Sequence, residues 1–255
     1  MKNHLTLLAL ALLLAACQPA PTPPPPTATP VPSATLTPSP VPTQTPVPPT
    51  ATPIPPTPTL EPPSVAAQFL QDLTVTYYDP FDENLGWGMD IGVIKDGVLE
   101  VVGDSWRGLW LEARDFTEGQ GLIMNVKYAA PGAQFEMLLD HGDWDTEGYR
   151  RFGIYMEKYP QSNLWRKNNP VAFNNLHGNF RPQADTWYSV LMAIGPDGEF
   201  LAVWWDPANP TQLIKYREKF GKDWAGLDWK FRIGGNYGTF WFDDLREVQF
   251  SGFKK

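Results

Sequence analysis

The sequence predicts an all-β domain of two packed antiparallel sheets, preceded by segments that cannot join its core. Three observations carry this expectation. Apolar and polar residues alternate with period two in short runs bounded by Gly, Asp, Asn and Pro, and no sustained helical period competes. Two Asp-Gly pairs, Asp96-Gly97 and Asp197-Gly198, fall between such runs, where a tight hairpin needs positive φ. Every tryptophan, tyrosine and phenylalanine lies after residue 64, so residues 65–255 alone hold the apolar bulk that a core requires.

The chain divides into three zones, 1–16, 17–64 and 65–255. Lys2 supplies a positive start, Leu5 to Leu14 form an apolar run of about ten residues, and Ala15-Ala16 provide the small residues a signal peptidase needs. That run is too short to span a bilayer. Leu14-Ala15-Ala16-Cys17 resembles the lipobox of bacterial lipoproteins, which implies cleavage before Cys17 and a diacylglycerol on its sulfur. Cys17 is the only cysteine, so it has no disulfide partner and no thiol companion for a metal cage. Gln18 follows it, and by the same resemblance the absence of aspartate there implies the outward surface of the cell.

The second zone is almost entirely Pro, Thr, Ala, Val and Ser and holds 20 of the 28 prolines. With no aromatics and one charge, Glu61, it has too little apolar surface to offset the entropy of ordering, and it is expected to be an extended polyproline II stalk. At ~3.1 Å per residue it reaches on the order of 140 Å. Its Thr-Pro pairs are compatible with O-glycosylation.

In the third zone, helix formers at 65–72 predict one short helix or turn. Strands are expected at 75–79, then at 94–102 around the Asp96-Gly97 turn, then at 107–113, 121–129, 133–140 and 150–156. The pair 187–194 and 199–205 is joined by Asp197-Gly198, and further strands are expected at 213–217, 229–234 and 238–250. About a dozen strands at this spacing indicate two stacked sheets rather than a small barrel, and no internal repeat suggests a propeller or solenoid.

Lys2 and Glu61 are the only charges before residue 65, so the domain itself carries the net charge of −8. That balance disfavours nucleic acid and anionic lipid as partners and suits a neutral or cationic ligand or calcium. There is no Gly-x-Ser-x-Gly elbow, phosphate loop or dinucleotide fingerprint. His141 and His177 are far apart in the sequence and do not suggest a zinc pair.

Several segments, taken in order, resemble the concanavalin A-like lectin and glucanase superfamily, including its laminin-G-like modules. They are Tyr77-Tyr78-Asp79-Pro80-Phe81-Asp82 with Trp87, Asp96-Gly97-Val98-Leu99, Tyr149-Arg150-Arg151-Phe152-Gly153-Ile154-Tyr155, Trp187-Tyr188-Ser189-Val190 and Phe242-Asp243-Asp244-Leu245. The resemblance implies a jelly-roll β-sandwich with its first and last strands side by side, and it implies sugar binding, glycan hydrolysis or adhesion. Calcium is implied where the terminal strands meet, with Asp82, Glu83, Asp243 and Asp244 as candidate ligands whose hard oxygens suit it.

Glycan hydrolysis needs two carboxylates at a set separation, and family 16 glucanases carry them as Glu-x-Asp-x-x-Glu or a close variant. Here Glu136 and Asp140 share a strand face, yet the middle acid is missing. The densest polar cluster is Asp140-His141-Gly142-Asp143-Trp144-Asp145-Thr146-Glu147. Aromatic rings offer a platform for the apolar face of a pyranose, and Asp and Arg satisfy its hydroxyls, so Asp143, Trp144, Arg151 and Trp165 form the expected carbohydrate-binding groove. Trp187 is expected to face the core, and one of Trp204 and Trp205 is expected outside unless a loop covers it. The leading expectation is a surface lipoprotein presenting a non-catalytic carbohydrate-binding or adhesive module to extracellular polysaccharide. The alternatives are a glycoside hydrolase drawing on Glu136, Asp140, Asp143 and Glu157, or a structural or protein-binding domain.

Overall fold

The computed structural model describes residues 62–88, 91–103, 107–157, 160–167, 169–172, 176, 178 and 181–255. The expected signal peptide, Cys17 and the stalk as far as residue 61, together with Trp106 and His177, lie outside the described residues. After a single helical turn, α1 (Ala66–Phe69), the chain forms β1 (Leu70–Gln71), β2 (Thr74–Asp79), β3 (Gly92–Lys95), β4 (Val98–Gly103), β5 (Arg107–Phe116), β6 (Gln120–Tyr128), β7 (Gln134–His141) and β8 (Arg150–Met156). It continues with β9 (Pro160–Arg166), β10 (Asn169–Ala172), β11 (Tyr188–Gly195), β12 (Glu199–Asp206), β13 (Asn209–Lys219), β14 (Trp229–Gln249) and β15 (Gly252–Phe253).

Apart from β1 and β15, which pair only with each other, these strands make two antiparallel sheets in a jelly-roll-like sandwich. The front sheet runs β10-β9-β8-β7-β14-β5 and the back sheet β13-β12-β11-β6-β14, with β2 and β4 alongside β14 and β3 on β4. One 21-residue strand, β14, serves both sheets. Its first half pairs with β5 and β7, and from Gly238 onward it pairs with β4, β6 and β2. The crossing falls on glycines. A Cβ on Gly235 would approach the Phe240 ring to 2.7 Å, and Gly238 has φ of 102°. The sequence pattern had suggested two strands here, because the bend interrupts the alternation without ending the strand.

Both Asp-Gly turns adopt the positive φ that places them. Asp96 and Gly97 stand at 54° and 74°, and Asp197 and Gly198 at 58° and 68°. The second turn also takes in Pro196, so that Gly195 pairs with Glu199 across a three-residue loop. β2 lies against β14 and β1 against β15, so the first and last strands are neighbours.

Alternation decides which side chains fill the sandwich. Phe135, Met137 and Leu139 of β7, Phe152 and Ile154 of β8, and Phe231 and Ile233 of β14 meet Met124 and Val126 of β6, Val190 and Met192 of β11, and Phe200 and Trp204 of β12. The outer face of the back sheet is apolar too. Ile123, Leu191, Leu201, Val203 and Trp205 lie under Val65, Ala66, Leu70, Phe250 and Phe253. Thus α1, β1 and β15 form a lid on the back sheet, which is why Trp204 and Trp205, on opposite faces, are both buried. Trp187, expected in the core, is instead half-buried just before β11, where Lys127 Nζ lies 5.3 Å from its ring. It shares the parity of Leu191 and Ala193 on the outer face, whereas Tyr188, Val190 and Met192 fill the sandwich.

Candidate functional site

The outer face of the front sheet receives every second residue of its strands, and apart from Leu138 and several glycines the residues in its central rows are polar or aromatic. Cross-strand registers set them in rows. Trp165, Arg151, Asp140 and Lys230 form one row, and Asn163, Gly153, Leu138, Arg232 and Trp110 form the next. Glu136 belongs to a third row, beside Tyr155 and Gly234. Glycines make room for the long side chains: a Cβ on Gly108 would lie 2.1 Å from Arg232 Nε, and one on Gly234 would lie 2.9 Å from Glu136 Oε1.

Both outward acids of β7 are occupied. Arg151 donates from Nε to Asp140 Oδ1 at 2.7 Å and from Nη2 to Oδ2 at 3.0 Å, and the Tyr149 hydroxyl donates to Oδ1 at 2.8 Å. Glu136 accepts from Arg232 Nη1 at 2.5 Å and from Asn163 Nδ2 at 3.1 Å. Asp140 is 4% exposed, Glu136 6% and Arg151 9%. The two-point Arg151–Asp140 pair fixes geometry as well as charge, and taking away one partner of a buried pair costs about 3–5 kcal/mol. Leu138 occupies the outward position between the two acids and is fully buried beneath these side chains. The register of β7 with β8 is unbroken, so four residues of extended strand separate the Glu136 and Asp140 Cα atoms by ~13 Å.

At the Asp140 end the face opens into a cleft of about 500 Å3. One wall is the loop from β7 to β8. It is held by Thr146, whose N–H and hydroxyl both donate to the Asp143 carbonyl, at 3.0 and 2.8 Å, and by the Tyr149 N–H donating to the Thr146 carbonyl. An ion pair between Lys167 and Glu147 ties the loop outward. This geometry presents Trp144, 40% exposed, with its ring 5.0 Å from Tyr149 and 4.9 Å from Trp165. The Arg151 guanidinium carbon lies 5.0 Å from the Trp144 ring. Opposite stand Trp110, Asp115, Asp228 and Lys230. His141 Nδ1 lies 2.8 Å from the Asp228 carbonyl, which can only accept, so Nδ1 carries the proton of that bond. Burial, and then the Asp140 carboxylate, push the Tyr149 phenol well above its usual range, so it stays a donor.

Trp144, Arg151 and Trp165 are thus brought together as expected, and Asp143 lines the same cleft. Arg151 is there as the clamp on Asp140. Glu157 lies apart from these residues: it is exposed and accepts from Gln134 Nε2 at 3.0 Å. Arg232, Asn163 and Asp228 are the contributors that sequence reasoning missed. Arg232 could have been found from the outward alternation Lys230-x-Arg232, whereas Asn163 sits on β9, a strand the sequence pattern did not mark.

At the other candidate position, Asp244 is engaged by the Tyr78 hydroxyl at 2.6 Å and by Asn125 Nδ2 at 3.0 Å, while Glu83 is exposed. Burial and the Asp244 charge, with a contribution from Asp82, raise the Asp243 carboxyl above its usual range. Among the described residues no three His, Cys, Asp or Glu side chains gather into a metal-ligating group.

No family model matches this chain, and no curated protein matches it either. Solved structures do. One belongs to a study of endo-acting O-glycanases that human gut microbiota express to initiate mucin breakdown. It shares 10% identity at a TM-score of 0.54, over 70% of this chain and 100% of that one. Another is SCLam, a non-specific endo-β-1,3(4)-glucanase, with 10% identity and a TM-score of 0.52 over 71% of this chain and 92% of that one. At these identities the likeness establishes the fold alone: the domain is an antiparallel β-sandwich of the kind these two structures share.

Proposed function

We propose that this protein is a non-catalytic carbohydrate-binding module, anchored through lipidated Cys17 to the outer face of a bacterial membrane and held out by its Pro-Thr stalk toward extracellular or cell-wall polysaccharide. The observation that carries the reading is the occupancy of the β7 acids. A glycosidase needs one carboxyl free to donate a proton and another free to attack or to activate water, whereas Asp140 and Glu136 are each spent on an arginine. What remains open is an aromatic cleft, whose exposed Trp144 and facing Trp110 suit the apolar face of a sugar ring. The anchor and location rest on the sequence around Cys17, and among the described residues no helix is long and apolar enough to cross a membrane.

A glycan array with the purified protein tests the reading, followed by a reducing-end release assay on each bound glycan. Binding without release is expected. Release of new reducing ends that survives Asp140→Asn and Glu136→Gln would point to other catalytic groups, and release that these variants abolish would make the protein a hydrolase.

A further inference from the structure

The cleft's charges do not balance, and their imbalance names a class of ligand. Its acids are Asp115, Asp140, Asp143 and Asp228, and its permanent cations are Arg151 and Lys230. Each cation already has an acid: Arg151 holds Asp140, and Lys230 Nζ lies 3.5 Å from Asp115. Two carboxylates are left over. Asp143 uses its backbone carbonyl on Thr146, and Asp228 uses its own on His141, but neither carboxylate has a hydrogen bond or ion pair among the described residues. Nearby Arg232 is committed to Glu136, and Arg150 pairs with Asp223. The cleft therefore offers two unneutralised carboxylates beside the exposed Trp144 ring, on a protein of net charge −8.

From this we infer that the cleft takes glycans bearing free protonated amines, of the hexosamine class without N-acyl groups, ahead of neutral glycans, and excludes uronate-rich and sulfated ones. An amino sugar meets both requirements at once. Its ring lies on the indole, and its ammonium faces Asp143 or Asp228. A uronate meets only uncompensated negative charge, because every cation in the cleft is already spoken for. The inference rests on the carbohydrate-binding reading above, and the test separates the two.

The full-length protein is titrated with glucosamine tetramer, its fully N-acetylated counterpart and a tetrameric uronate, below the pKa of the sugar amine and at low salt. The charges are exposed and screened, so the amine form is expected to bind about three- to tenfold tighter than the acetylated form. The advantage should shrink toward unity at high salt, and the uronate should bind weakest. Asp143→Asn and Asp228→Asn each lower the ratio of the two affinities, and Trp144→Ala weakens both. Equal binding of the amine and acetylated tetramers, or a uronate bound as well as either, overturns the inference while leaving a glycan-binding cleft. Displacement of the amine tetramer by an equimolar lysine tetrapeptide also overturns it, by reducing it to charge alone. No binding of any of the three, nor of any glycan on the array, defeats the underlying reading as well.

Discussion

The outer faces of the two sheets start from the same pattern and end differently. On the back sheet, outward residues such as Ile123, Leu191, Leu201, Val203 and Trp205 are apolar, and the chain closes over them with α1, β1 and β15. On the front sheet, outward residues are Glu136, Asp140, Arg151, Asn163, Trp165 and Arg232, and the Asp140 end of the face is left as an open cleft. The back face is held by burial, at about 1.5–3 kcal/mol for each fully buried large side chain, with hydrogen bonds such as Arg217 Nη1 to the Lys254 carbonyl at the rim of the lid. The front face is held by ion pairs that contribute little net stability but cost much when broken. The comparison teaches where function can reside: an apolar outer face must be covered, whereas a polar face whose buried acids are paired can stay open and still present rings to a ligand.

The sharpest way to break this contrast is to unpair the front face. Arg151→Met leaves Asp140 buried without its cation and is expected to cost about 3–5 kcal/mol in urea unfolding, with much of the loss recovered by adding Asp140→Leu. Full stability in the single variant would show that the pair is not desolvated. On the back face, Phe253→Ala or Leu70→Ala should cost about 2–4 kcal/mol and raise binding of an apolar dye, without moving glycan affinity. A change in affinity there would mean that the two faces are not independent. Trp144→Ala should do the opposite, with about tenfold or more lost in affinity and less than about 1 kcal/mol lost in stability, because the ring is already 40% exposed.

The smallest effect concerns pH on the back sheet. Burial, then Asp244, raise the Asp243 carboxyl, so the folded state binds its proton more tightly than the unfolded chain does. The contribution is fully present below the unfolded value and is lost as pH rises through the raised one. Asp243→Asn is therefore expected to raise Tm slightly at neutral pH, with the gain vanishing below the ordinary aspartate range. A gain that persists in acid would contradict the assignment to Asp243.

Much of the fold was legible because alternation and Asp-Gly turns are local signals. The hairpins at Asp96-Gly97 and Asp197-Gly198 and strands β6, β7, β8, β11 and β12 stand where the residues put them. β9 and β10 were not legible: Pro160-Gln161-Ser162-Asn163 has no apolar alternation, and Ser162 and Asn163 are buried all the same. The burial of Trp205 depends on contacts with Phe250 and Phe253, far along the chain, which no local pattern reports. Loop composition, which marks polar and aromatic density, pointed to Asp143 and Trp144, and both line the cleft, whereas Trp165 stands on β9 beside the Trp144 ring. Its decisive feature, the arginine clamps on Asp140 and Glu136, joins β7 to β8 and β14 and needed coordinates.

Oxidative footprinting of the tryptophans with and without a bound glycan tests most directly whether the front face is the working one. Protection is expected at Trp144 and, more weakly, at Trp165 and Trp110, with Trp187 and Trp241 on the back sheet unchanged. Protection of Trp187 and Trp241 while Trp144 stays reactive would contradict the account.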